Sequence, residues 1–131
     1  MPLLFRELTS KIISAYLDTY AELKNRPGYN EHNCTRSLCI ELGNRGLQYQ
    51  EQVPFRRMYK GCQVGGDFLD LVIENKVLAQ VKKVQVLRKE HYDQARTYLF
   101  DSGLAVGFLF NFGSIEPEYS RLYEKRNDGS Q

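Results

Sequence analysis

The chain has 131 residues, of which 42% are apolar and 26% charged, the balance of a folded domain with its own core rather than of a disordered or low-complexity segment. A formal net charge of only +2 excludes a polybasic or polyacidic character and leaves the partner class open, because a cleft can be locally basic on a near-neutral protein. No apolar run approaches the ~18 residues of a membrane span, MPLLFRELTS has no signal-peptide core, and Cys34, Cys39 and Cys62 neither pair off nor show zinc-site spacing, which reads as a cytoplasmic protein with reduced thiols.

Leu8, Ile12, Ala15, Tyr16, Thr19 and Leu23 recur at three- and four-residue spacing and predict an amphipathic helix over Leu4–Lys24. Arg26-Pro27-Gly28 breaks it. A second helix is expected from Asn30 to Asn44, with Cys34, Leu38 and Leu42 as its apolar stripe. Stepping back along that stripe reaches Glu31, a costly place for an unpaired carboxylate unless it simply answers the helix dipole. Leu47 to Tyr59 is extended, and Pro54 marks it as an edge or a bend. Arg56, Arg57 and Lys60 there form a basic cluster, read either as a solvated edge or as a phosphate-contacting rim.

The stretch GDFLDLVIENKVLAQVK, residues 66–82, predicts a β-hairpin of Phe68–Ile73 and Val77–Val81 hinged at Glu74-Asn75-Lys76. Gln80 and Lys82 share one side of their strand. A tight two-residue turn would place Asp70 opposite Val81, on the wrong side. A three-residue turn or a bulge pairs Asp70 with Gln80 and gathers carboxylate, amide and ammonium, and we expect this register because it accounts for three costly polar residues together. Lys82, Lys83, Arg88 and Lys89 make a second basic cluster beside it.

A third helix is predicted from Lys89 to Ser102, stopped at Gly103, with His91, Gln94 and Tyr98 along one side beside an apolar Tyr92/Ala95/Leu99 stripe. Leu104–Asn111 is a nearly all-apolar strand covered on both faces, parallel to the Val77 strand through a right-handed crossover. Ser114–Glu118 is a loop and Tyr119–Glu124 a short edge strand. Residues 1–125 read as one domain and residues 126–131 as a disordered tail.

The spacing Asp70-x9-Gln80-x-Lys82 on a hairpin resembles the metal-dependent PD-(D/E)XK nuclease superfamily. Gly28-x-x-Glu31, with Cys34 in place of a Tyr, and His91-x-x-Gln94-x-x-x-Tyr98-Leu99 resemble the GxxExxY family within it, and Gln94-x-x-x-Tyr98 looks like the QxxxY motif of RecB-like nucleases. Gln80 stands where most relatives carry Glu: its amide oxygen can still ligate a hard cation but adds no charge.

The resemblance implies an α/β fold, a mixed sheet flanked by helices with a restriction-endonuclease-like αβββαβ core and an extra N-terminal helix. It implies Asp70, Gln80 and Lys82 as catalytic residues, with Mg²⁺ or Mn²⁺ held by Asp70, Gln80, the Val81 backbone carbonyl and Glu31. Glu31, Gln94, Tyr98 and His91 would support that site, though His91 alone reads more readily as a packed imidazole. Lys83, Arg88, Lys89, Arg56 and Arg57 would contact nucleic acid, DNA rather than RNA, with a homodimer left open. The alternative, from a different class, is a catalytically silent module that keeps the fold and binds nucleic acid or a protein partner.

Overall fold

The computed structural model describes residues 5–124. Three helices, α1 (Arg6–Leu23), α2 (Glu31–Asn44) and α3 (Lys89–Ser102), flank a sheet of β1 (Tyr49–Tyr59), β2 (Cys62–Ile73), β3 (Val77–Lys82), β4 (Val106–Asn111) and β5 (Glu118–Tyr123). The strands lie in chain order, and only the β3–β4 pair is parallel, joined across by α3. This is the mixed, helix-flanked sheet expected from the sequence.

Each helix is placed by its apolar stripe. Ile12, Ala15 and Tyr16 of α1 and Leu38 and Leu42 of α2 close on one sheet face against Leu71, Ile73, Val77, Ala79, Val81, Phe108 and Phe110. Ala95, Tyr98 and Leu99 of α3 close on the other against Leu69, Val72, Leu78 and Leu109. An added Cβ at Gly107 would lie 3.4 Å from both Leu78 and Leu99, so the glycine lets α3 pack closely across β4. Asn30 and Asn33 cap α2 reciprocally, each side-chain oxygen accepting the other's backbone N–H at 2.8 and 3.0 Å. α3 stops at Gly103, whose φ of 81° suits a residue without Cβ.

Tyr16 ties the layers together. Its ring stacks on Phe110, its hydroxyl donates to the Asn111 carbonyl at 2.6 Å, and the same oxygen accepts the Glu118 N–H at 3.0 Å. Burial raises its phenol well above the ordinary value, so it stays a neutral donor.

Several boundaries differ from expectation. α1 begins at Arg6, β1 at Tyr49, β4 at Val106 and β5 at Glu118. The larger correction is β2, which starts at Cys62 rather than Phe68. Gly65 and Gly66 resemble turn residues, yet they pair with Arg57 and Arg56 across an extended ladder. The expected tail, residues 126–131, lies outside the described residues.

Candidate active site at the fork between β2 and β3

The hairpin turn settles the register. Ile73 pairs with Val77, leaving Glu74, Asn75 and Lys76 as a three-residue turn with positive φ at Glu74 and Asn75. Continued by one step from Leu71↔Ala79, this register sets Asp70 against Gln80, the gathered arrangement. The ladder itself ends at Leu71↔Ala79.

From there the two strands part, and side chains take over the bonds that the ladder gives up. The Asp70 N–H donates to Gln80 Oε1 at 2.9 Å, and the Val81 N–H donates to Asp70 Oδ2 at 2.8 Å. The Lys82 carbonyl accepts from Phe112 N–H at 2.8 Å, on the β4 side. The neighbouring Val81 therefore presents its peptide groups to the β2 side, and its carbonyl opens into the same fork as its N–H.

The electrostatics follow from this geometry. Burial is the largest influence on Asp70 and raises its pKa; the Val81 N–H and the Lys82 ammonium pull it down, while Glu31 and Asp67 push it up, and the net direction is upward. Asp70 Oδ1 has no hydrogen bond, and the half-buried Lys82 ammonium makes neither hydrogen bond nor ion pair among the described residues. Gln80 is 3% exposed, and its place on β3 shares the α3 side with Leu78 and Lys82. Glu31 is the first residue of α2 and is exposed, not turned into the core as the stripe suggested. It acts across the fork from the opposite layer.

Among the described residues, no group of three His, Cys, Asp or Glu side chains is placed to hold a metal ion. The donors at the fork are instead one free carboxylate oxygen, an amide oxygen already taking one N–H, and a backbone carbonyl, with a second carboxylate nearby. That set suits a hard cation of the Mg²⁺ type, which takes few protein oxygens and keeps several waters. It does not suit an all-protein cage.

The remaining expected residues divide. His91 Nδ1 accepts the Arg88 N–H at 2.9 Å and so caps α3. Gln94 lies 3.5 Å from the Tyr98 hydroxyl, and that hydroxyl donates to Asp67 Oδ2 at 2.5 Å rather than engaging Lys82. Arg57 is occupied within the protein, by the Gly66 carbonyl at 3.1 Å, by Asp67 and Asp101, and by the faces of Phe55 and Tyr98. Lys83 is likewise spent on the Pro27 and Tyr29 carbonyls, holding the α1–α2 loop. Lys89 pairs with Asp93 at 2.6 Å on an open surface, while Arg56 and Arg88 are exposed with no side-chain ion pair among the described residues.

Two groups escaped sequence reasoning. Asp67 accepts from Tyr98, which is the main reason its pKa is lowered, and so joins β2 to α3. Its position opposite Phe55 was the available signal, hidden because residues 62–67 did not read as strand. Asn111, fully buried, accepts from the Val84 and Gly113 N–H groups and donates to Glu118, fixing the segment that follows Lys82.

The family model that matches residues 6–122 is that of the PD-(D/E)XK nuclease superfamily. No curated protein matches the chain. Among solved structures, one described as the crystal structure of SSO0001 superposes with a TM-score of 0.52 at 12% identity, covering 90% of this chain and 69% of that one; the likeness is one of fold.

Proposed function

The chain belongs to the PD-(D/E)XK nuclease superfamily, and from that membership we propose that it hydrolyses phosphodiester bonds, in DNA rather than RNA, with Mg²⁺ or Mn²⁺ at the β2–β3 fork. The observation that carries the reading is Asp70: a carboxylate held in a place that burial makes unfavourable, beside an ammonium, with one of its oxygens and that ammonium both unbonded among the described residues.

Asp70 Oδ1, Gln80 Oε1 and the Val81 carbonyl would hold the ion, with Glu31 adding charge from α2. A bound divalent ion supplies an easier ionisation of water and neutralises charge on the phosphate. The chain's own part is to orient and to stabilise. The Val81 N–H fixes the Asp70 carboxylate through Oδ2, so that Oδ1 faces the fork. Lys82 brings a positive charge that makes no ion pair among the described residues, placed to meet the negative charge that develops on the phosphate oxygens. Tyr98 and Gln94 act at one remove, by holding β2 through Asp67.

A second reading rests on a specific observation. Gln80 brings no charge, and its oxygen already takes the Asp70 N–H, which is also what a silent module would need to close the fork. Cleavage of single-stranded and duplex oligonucleotides under a Mg²⁺ titration separates the two. The enzyme reading expects metal-dependent cleavage that falls by about 10²-fold or more in Lys82→Ala. Binding that is indifferent to metal, with no cleavage, would leave the module.

A further inference from the structure

The β1–β2 ladder runs from Tyr49↔Ile73 out to Tyr59↔Cys62, while β2 pairs with β3 only at Leu71, Val72 and Ile73. From Asp70 outward the hairpin therefore leaves the body of the sheet as a two-stranded ribbon. One side of it rests on α3 through Val53, Phe55 and Leu69. The other side continues the face that α1 and α2 cover further along, and there no helix of the described residues reaches it: Phe68 is 53% exposed, and Arg56 is exposed with no ion pair among the described residues.

That open side has a definite chemistry. Phe68 stands directly across from Pro54, and Arg56 across from Gly66. An added Cβ at Gly66 would lie 2.9 Å from the Phe55 carbonyl oxygen, so the place beside Arg56 must stay bare. Lys60 at the tip lies over the Tyr59 ring, which alternates with Val53 and Phe55 and so belongs to the α3 side, leaving Arg56 as the cation of the open side. The ribbon's one acid beyond Asp70, Asp67, is turned to Arg57 and Tyr98 on the other side. An unshielded ring and one cation thus lead away from the fork, with Phe68 two residues along the strand from Asp70, about 7 Å in backbone rise.

We infer that this side of the ribbon is the track for a single-stranded segment of the nucleic-acid substrate, with a base resting on Phe68 and the backbone drawn along by Arg56. The inference rests on the nuclease reading and narrows its substrate to strands with unpaired nucleotides next to the bond cleaved. The Arg56 cation matches a polyanion, and a bare ring matches the face of a base, which a single strand offers and a stacked duplex hides. A base on Phe68 sets the adjoining phosphate at Asp70.

The chain has no tryptophan, so Phe68→Trp introduces its sole indole at the place in question. Titration of that variant with a single-stranded oligothymidine is expected to quench the indole, and a blunt duplex of equal length at equal concentration is not. Phe68→Ala is expected to weaken binding of the single strand about tenfold, and Phe68→Tyr to preserve it, since either aromatic ring can stack. Circular dichroism of each variant checks that the exposed substitution leaves the fold intact. An indole unmoved by saturating single strand, an unchanged affinity in Phe68→Ala, or no binding of any oligonucleotide by the wild type overturns the inference. Metal-dependent cleavage with unaltered kinetics in Phe68→Ala removes the track and keeps the nuclease; quenching without cleavage in any metal keeps the track and removes the nuclease.

Discussion

Asp70 bonds to Val81 through one oxygen and keeps the other free, and its raised pKa means that the folded protein holds a proton there more readily than the unfolded chain does. The sign of the consequence follows. Above its folded-state pKa the ionised group costs stability; that cost is absent below the unfolded-state value and sets in as pH rises through the interval. Asp70→Asn is therefore expected to raise the melting temperature at pH 7, and to converge on the wild type as pH falls into the carboxylate range. Thermal unfolding monitored across pH checks this, and a destabilised Asp70→Asn at pH 7 would contradict it. Gln80→Glu tests the neighbour. A second negative charge, almost fully buried beside Asp70, should lower stability without metal and tighten Mg²⁺ binding by at least about tenfold, readable by calorimetric titration with thermal melts of both forms.

At the scale of elements, the helices and strands were legible where periodicity was clean. The Leu8–Leu23 stripe and the apolar run ending at Asn111 became α1 and β4 with only their ends adjusted. The hairpin register was legible as well, because a tight two-residue turn would part Asp70 from Gln80 and Lys82 whereas a three-residue turn or a bulge gathers them, and the turn has three residues. What lay beyond sequence was where the ladder stops. That Asp70 and Gln80 would replace strand–strand bonds depends on how far β2 leans away from β3. Lys83 and Arg57 looked like phosphate contacts because a cation's partner is a matter of tertiary contact: Pro27 and Tyr29 in one case, Asp67 and Asp101 in the other. Tyr16 shows the energetic side of such long-range bonds. Tyr16→Phe keeps the stacking on Phe110 but strands the Glu118 N–H and the Asn111 carbonyl in a buried place, and should cost about 1–3 kcal/mol in urea unfolding. A loss under a few tenths of a kcal/mol would show that these groups find other partners.

For the whole molecule, the two layers do different work. α1 and α2 hold β3 and β4 from one side and carry Glu31 to the rim; α3 braces the β1–β2 ribbon from the other through Tyr98, Asp67 and Arg57. The fork between β2 and β3 is where both layers deliver charge to a single place. Occupation of that fork by a divalent cation is what the account depends on. A crystal soaked in Mn²⁺ and measured for anomalous scattering reads it directly. The expected result is a peak within coordination distance of Asp70 Oδ1 and the Val81 carbonyl, lost in Asp70→Asn. A map with no peak in the fork, or a peak that survives Asp70→Asn, would contradict it.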